Sequence, residues 1–308
     1  MKNQGSDLAE QGIYLLDDQF RLREGNDIGG WPLWLVEKAK NEPATFLRDA
    51  LVAALDQAPV DNVRKLVLSA ENLSDPDTAA VLDGVLEEFE PTLVYYMRRQ
   101  DHFLVSSWRQ WSMKRGISLE EHVARRIAER RPAFSKTLAL WEARIGKRRI
   151  HARFLDPRFL EGGSIISDIG KALNIAVPAD GPLIRENESP DRAILLYLQR
   201  HPELFRDVHD DFAVARMVAC DSGPIERLVL SKHLQRTVKL AYEDDNQYLL
   251  QEYARSSDIG LPVILDDGPL EPLPAAMTDR DRLRLDAILA RMLENASGEI
   301  GVSEEPSA

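Results

Sequence analysis

The sequence is nearly without cysteine: Cys220 is the only one in 308 residues. An intramolecular disulfide is therefore excluded, as is a zinc site built from several thiolates. A chain held together without disulfides fits a reducing compartment. Long apolar runs are also missing. No stretch approaches the roughly 20 apolar residues that cross a bilayer. Residues 1–20 are polar and mixed, not a basic start followed by an apolar segment, so no signal peptide is expected. There is no internal repeat and no low-complexity tract. These absences predict a soluble, cytoplasmic protein. Cys220, with no base near it in sequence, reads as a small buried core residue.

What is present is ordinary for a globular chain. Hydrophobic residues are 44% and charged residues 29%, enough for a sizeable core. The length suits one large α/β domain or two small ones. Charge is spread unevenly. Residues 98–153 hold 15 Lys and Arg against 5 Asp and Glu, a balance of +10. The rest then carries −22 of a net charge of −12. An acidic protein with a basic middle is ill suited to coating nucleic acid. It is suited to holding one compact polyanion in a focused site.

Along the chain, helical spacing of Phe46, Leu47, Ala50, Leu51, Ala54 and Leu55 predicts a helix over 43–57. Short apolar runs predict strands over 63–70, 92–97 and 149–155. Between them, Ser74 reads as a helix N-cap, and a helix is expected over about 102–115, ended by Gly116. Ser118 with Glu121 forms a capping box for the next helix, and another runs over about 133–145. This alternation points to a parallel sheet with helices on both faces, and three strands are few for such a sheet. After Pro157 the chain becomes mostly helical, with helices expected over 164–173, 189–200, 203–219, 231–254 and 278–293. Thr278 and Asp281 form a capping pair. The predicted organisation is one α/β domain over 1–275, a C-terminal helix over 276–295 and a disordered tail over 296–308.

The informative segment is LVYYMRRQDHFLVSSWRQWSMKR, residues 93–115. A strand runs directly into Arg98 and Arg99. Ser106 and Ser107 follow within the next helix. In open α/β sheets, ligands bind outside the carboxyl ends of the strands. Arg at such an end can grip a phosphate in bidentate fashion, and a Ser hydroxyl from the adjoining helix can donate to the same group.

The stretch YYMRRQDHFLVSSWRQ resembles the 3′-phosphate-binding segment of bacterial P-loop sulfotransferase-like proteins, the 3′-phosphoadenosine 5′-phosphosulfate-dependent type. The resemblance implies that Arg98 and Ser106 hold the 3′-phosphate, with Arg99 and Ser107 beside them. VRKLVLSAENL (63–73) is similar to the family's strand ending in Ser-Ser-Glu. Ala70 departs from the second Ser, and Glu71 matches the acidic position, where a carboxylate could orient or deprotonate an acceptor hydroxyl. FLDPRFLEGG, the later LNI, Asn187 with Ser189, and NQYLLQEY (246–253) also look like family segments, so the similarity spans roughly residues 5–265. It implies a three-layer P-loop-type parallel sheet with a largely helical C-terminal half.

Departures accompany the match. Members open on a strand and a Lys-Thr-Gly-Thr-Thr-like loop whose N–H groups and Lys cradle the 5′-phosphosulfate. No such loop occurs near Gly5, the first glycine; GSDLAEQGIYLL (5–16) instead resembles the part just after it. The first strand of the sheet is therefore expected to be missing too. GND (25–27) stands where relatives often carry a His.

Other candidates are weaker. His201, His209, Asp210 and Asp211 do not share one helix face, and no metal is expected. His102 reads as a polar helix residue, and Trp108, Trp111 and Trp141 read as core. Two functions stay open ahead of a third, a glycan-processing transferase of another chemistry. One is transfer of a sulfuryl group from 3′-phosphoadenosine 5′-phosphosulfate to a hydroxyl of a small-molecule, carbohydrate or glycan acceptor. The other is an inactive nucleotide-binding or scaffold protein on the same fold.

Overall fold

The computed structural model describes residues 8–16, 22–23, 45–56, 63–69, 71–74, 84–86, 88–176, 190–221, 225–254 and 277–300. Its strands are β1 (Ile13–Leu16), β2 (Leu22–Arg23), β3 (Lys65–Val67), β4 (Leu93–Met97) and β5 (Ile150–Phe154). Its α-helices are α1 (Phe46–Asp56), α2 (Gln100–Ser107), α3 (Leu119–Ala128), α4 (Phe134–Ile145) and α5 (Ile165–Leu173). There follow α6 (Arg192–Leu198), α7 (Phe212–Cys220), α8 (Lys232–Ala241), α9 (Glu243–Tyr253) and α10 (Asp279–Ile300). The fold is mixed α and β, and mostly helical. Most of the helix expected to start at Ser74 (75–83), the segments around Asn187 and Ser189, and residues 301–308 lie outside the described residues; Val85 and Leu86, expected on that helix, lie in a turn.

The chain divides into two compact units. The first comprises Met1–Arg99, Ala133–Leu183 and Glu243–Ile264. It holds all five strands, and among the described residues these form two small sheets. In one, β1 lies between β2 and β3, antiparallel to β2 and parallel to β3. In the other, β4 runs parallel to β5, with Leu93 opposite Ile150 and Met97 opposite Phe154. The three strands expected from their apolar runs are present, although shorter. The expectation of one continuous parallel sheet is met only by these two parallel pairings. Apolar runs mark strands, but a parallel partner is set by the crossover that brings two distant segments together.

Each sheet is covered by helix. Leu47, Leu51 and Ala54 of α1 pack with Leu16 of β1. Phe134 and Leu138 of α4 and Leu249 and Tyr253 of α9 pack with Tyr95 and Met97 of β4 and Ala152 and Phe154 of β5. Lys65 of β3 donates to the Leu173 carbonyl at the C-terminus of α5, where orphan carbonyls favour a cation. Asn174 ends that helix in the left-handed conformation at φ 51°.

The second unit comprises Gln100–Pro132, Ile184–Tyr242 and Leu265–Ala308. Leu104, Trp108, Leu198, Met217, Val238 and Leu285 are among its most buried side chains. The helix expected over 102–115 changes pitch twice. A π-helical turn, Trp108–Ser112, and a 3-10 turn, Met113–Arg115, continue α2. Gly116, at φ 73°, ends the run as expected.

The N-cap half of the expected capping box forms, with the Ser118 hydroxyl accepting from the Glu121 N–H at 3.1 Å. Ser118→Ala is expected to lower stability by about 1 kcal/mol, read as a shift in the urea midpoint of the second unit's helical signal. Thr278 and Asp281 cap α10 reciprocally.

The helix expected over 203–219 begins only at Phe212, because Asp210 accepts from the backbone N–H groups of Arg206 and Phe212. Those bonds hold the preceding residues in a turn. The helix expected over 231–254 is two, α8 and α9, interrupted at Tyr242.

Candidate functional site

Strand β4 delivers two of the candidate residues. Its last residue, Met97, accepts a hydrogen bond from the Leu155 N–H at 2.8 Å, so the parallel pairing persists one residue past β5. Arg98, exposed, and Arg99, half-buried, follow immediately. They stand at the carboxyl edge of a parallel pair, the position at which open α/β sheets meet ligands.

Asp156 follows β5 at the same edge. The Arg158 guanidinium, bonded to both carboxylate oxygens at 3.0 and 2.9 Å, holds this carboxyl below the usual range, and Arg99 contributes a smaller attraction. Three cations and one carboxylate therefore gather at the edge, in keeping with the basic middle segment.

Beneath that edge lies a buried polar cluster that sequence reading did not single out. Asp168 of α5 is 1% exposed. Its Oδ2 accepts from the Tyr96 hydroxyl at 2.8 Å and sits 3.2 Å from Arg153 Nε, an ion pair without good hydrogen-bond direction. Its Oδ1 accepts from the Glu161 N–H at 3.0 Å. One carboxylate thus ties β4, β5 and the loop before α5 together. The available signal was Arg153, a charged residue inside an apolar strand.

Ser106 and Ser107 end α2 in the second unit. Ser106 is half-buried and Ser107 buried. The Ser107 hydroxyl donates to the Leu104 carbonyl at 3.2 Å and meets His122 Nε2 at 2.9 Å. It is committed within the unit, which leaves Ser106 as the hydroxyl of the pair to offer a ligand.

His122 Nδ1 meets the Ser112 hydroxyl at 2.8 Å, and Arg125 donates to that oxygen at 3.3 Å. Burial first, then the charges of Arg126 and Arg125 against the opposing pull of Glu129, together lower the His122 pKa to about 4. His122 carried no sequence signal, because its partners lie 10 and 15 residues away on another element.

Glu71 begins a single 3-10 turn, Glu71–Ser74, that follows β3; its side chain lies outside the described residues. The Thr137 hydroxyl donates to the Ser74 carbonyl at 3.0 Å, fixing the end of that turn to α4.

His102 is exposed on α2. Trp108 and Trp141 are core, whereas Trp111 is 37% exposed against the His209 ring. Cys220 is exposed, contrary to its expected burial. Ala213, Val214 and Met217 form the buried face of α7, and the helix ends at Cys220, so the packed face stops a turn before it.

The residues considered for a metal have other partners. His201 bonds Glu203, Asp210 pairs with Arg206, and Asp211 pairs with Lys114. Among the described residues no group of three or more His, Cys, Asp and Glu is placed to hold a metal ion. No described helix is long and apolar enough to cross a membrane. No family model, curated protein or solved structure matches the chain.

Proposed function

We propose that the chain is a sulfotransferase-like protein that binds 3′-phosphoadenosine 5′-phosphosulfate and transfers its sulfuryl group to a hydroxyl acceptor, a carbohydrate or other glycan. The observation that carries this reading is the passage of β4 into Arg98 and Arg99 at the carboxyl edge of a parallel strand pair. In this reading Arg98 grips the 3′-phosphate, Arg99 supports it electrostatically, and Ser106 donates to the same phosphate. The pairing of Arg98 with Ser106 rests on their spacing of eight residues in sequence. Glu71, following β3, is the proposed base for the acceptor hydroxyl. Transfer would be an in-line displacement in which positioning and charge stabilisation supply most of the rate. A three-layer P-loop-type parallel sheet, a bacterial origin and a cytoplasmic location belong to the same proposal.

A second reading of the same resemblance is an inactive nucleotide-binding or scaffold protein on the same fold, one without a working cradle for the 5′-phosphosulfate. A protein that keeps the 3′-phosphate grip but not that cradle would bind nucleotide without transferring sulfate.

Calorimetry with adenosine 3′,5′-bisphosphate tests what the two readings share. Arg98→Ala is expected to weaken binding roughly 10- to 100-fold, the worth of one charge-assisted contact. Absence of binding, or binding indifferent to Arg98→Ala, would sink both. Transfer of labelled sulfate to a glycan acceptor separates the enzyme from the binding protein.

A further inference from the structure

The π-helical turn after α2 and the buried imidazole against it form one device. The Met113 N–H bonds the Trp108 carbonyl five residues back, which defines the turn. Ser107 and Ser112, also five residues apart, flank its two ends. In an α-helix, residues five apart lie roughly 140° apart around the axis and cannot reach one small ring. In a π turn they stack on one face. His122 takes both hydroxyls there, Ser107 through Nε2 at 2.9 Å and Ser112 through Nδ1 at 2.8 Å. All three side chains are buried.

The hydrogen bonds run in one direction. Ser107 gives its proton to the Leu104 carbonyl, so its oxygen accepts from Nε2–H. Nδ1 is then bare and accepts from the Ser112 hydroxyl, whose oxygen accepts from Arg125. The opposite tautomer would leave the buried Ser112 hydroxyl proton without an acceptor. An imidazolium would do the same and would add a third positive charge beside Arg125 and Arg126.

The charges that bear on the ring include Arg126 and Arg125 of α3, against the imidazolium, and Glu129 just after α3, for it. The titratable and charged groups of the elements packed on α3 are Asp101 and His102 on α2, Arg109 on the π turn, and Lys232, His233, Arg236 and Lys239 on α8.

We propose that His122 is a positioning residue: as a neutral, Nε2-protonated imidazole it clamps the two ends of the π turn, sets the rotation of α2 about its axis, and so aims Ser106 at the anionic group. The aiming rests on the proposed function; the clamp does not. Because Ser106 precedes Ser107 by one residue, roughly 100° around the helix, holding Ser107 fixes the direction of Ser106. The anion affinity of the site then fails in acid together with the clamp.

Nitrogen-15 NMR of the histidines in the full chain, with His122 assigned by its loss in His122→Gln, tests the clamp. The expected signal is a protonated Nε2 and a bare Nδ1, unchanged from neutral pH down to near pH 5, with a midpoint of about 4. A proton on Nδ1, or a midpoint near 6.5 as for a free imidazole, overturns it.

Calorimetry with adenosine 3′,5′-bisphosphate tests the aiming. His122→Gln and Ser112→Ala are each expected to weaken binding roughly tenfold, the worth of one mispositioned hydrogen bond. Ser112→Ala removes only a hydroxyl and serves alone if His122→Gln does not fold. Folded variants that bind like the wild type overturn the aiming. A wild-type chain that binds no bisphosphate overturns the proposed function and the aiming with it, while the NMR result still decides the clamp.

Discussion

Asp168→Ala is expected to destabilise the β4–β5 unit by about 3–5 kcal/mol, because it strips a buried cation of its partner. Asp168 is 1% exposed, and the Arg153 side chain opposite it is 10% exposed. Truncation leaves the guanidinium without a counter-charge, the Tyr96 hydroxyl without its acceptor at 2.8 Å and the Glu161 N–H without its acceptor at 3.0 Å. Removing the whole pair is a different matter. Asp168→Leu combined with Arg153→Met deletes both buried charges and is expected to recover the part of the loss that is due to the unpaired guanidinium, while the Tyr96 hydroxyl and the Glu161 N–H stay without their acceptor. Because the chain has two units, hydrogen exchange of the β5 amides is the measurement to use, not one global transition. A wild-type exchange pattern in Asp168→Ala would mean that the cluster carries little of the unit's stability. The same exchange loss in the double variant would mean that the hydrogen bonds from Tyr96 and Glu161, not the charge pair, are what Asp168 supplies.

The second large effect is acid loss of stability in the unit that holds His122. Burial lowers this imidazole from 6.5 to about 4, so the folded chain binds fewer protons than the unfolded chain between those values. The sign follows: stability from this group is complete above about pH 6.5, falls as pH drops toward about 4 and is flat below it. That difference corresponds to about 3 kcal/mol for a ring 2% exposed. Carboxylates add their own acid dependence, so the informative quantity is the difference between wild type and His122→Gln. Urea midpoints of the two chains, taken from pH 8 to 4, are expected to converge as pH falls. Parallel curves across that range would show that His122 is not buried as a neutral base.

Local signals in the sequence were legible where the chemistry is local. The capping pairs Ser118–Glu121 and Thr278–Asp281 form as their spacing requires. Gly116 stops its helix, and the three apolar runs are strands. The passage of β4 into Arg98 and Arg99 could be read residue by residue, because a strand followed by two arginines needs no distant partner to be recognised. Where the chain folds against its local preference, reading failed for a nameable reason. Helicity expected over 203–219 lost to the turn that Asp210 builds with its own neighbours, and Cys220 is exposed because α7 ends there.

By itself, then, the sequence determined the strands, the capped helix starts and the stop at Gly116, the basic middle segment and the placing of Arg98 and Arg99 after a strand. These depend on neighbours within about one turn of the chain. Tertiary structure alone decided that β3 pairs with β1 while β4 pairs with β5. It also decided that Asp168 finds Arg153 and Tyr96, and that His122 bridges Ser107 and Ser112. Those choices join residues that local preference cannot connect, and they follow from the cost of burying a charge or a polar group away from a partner.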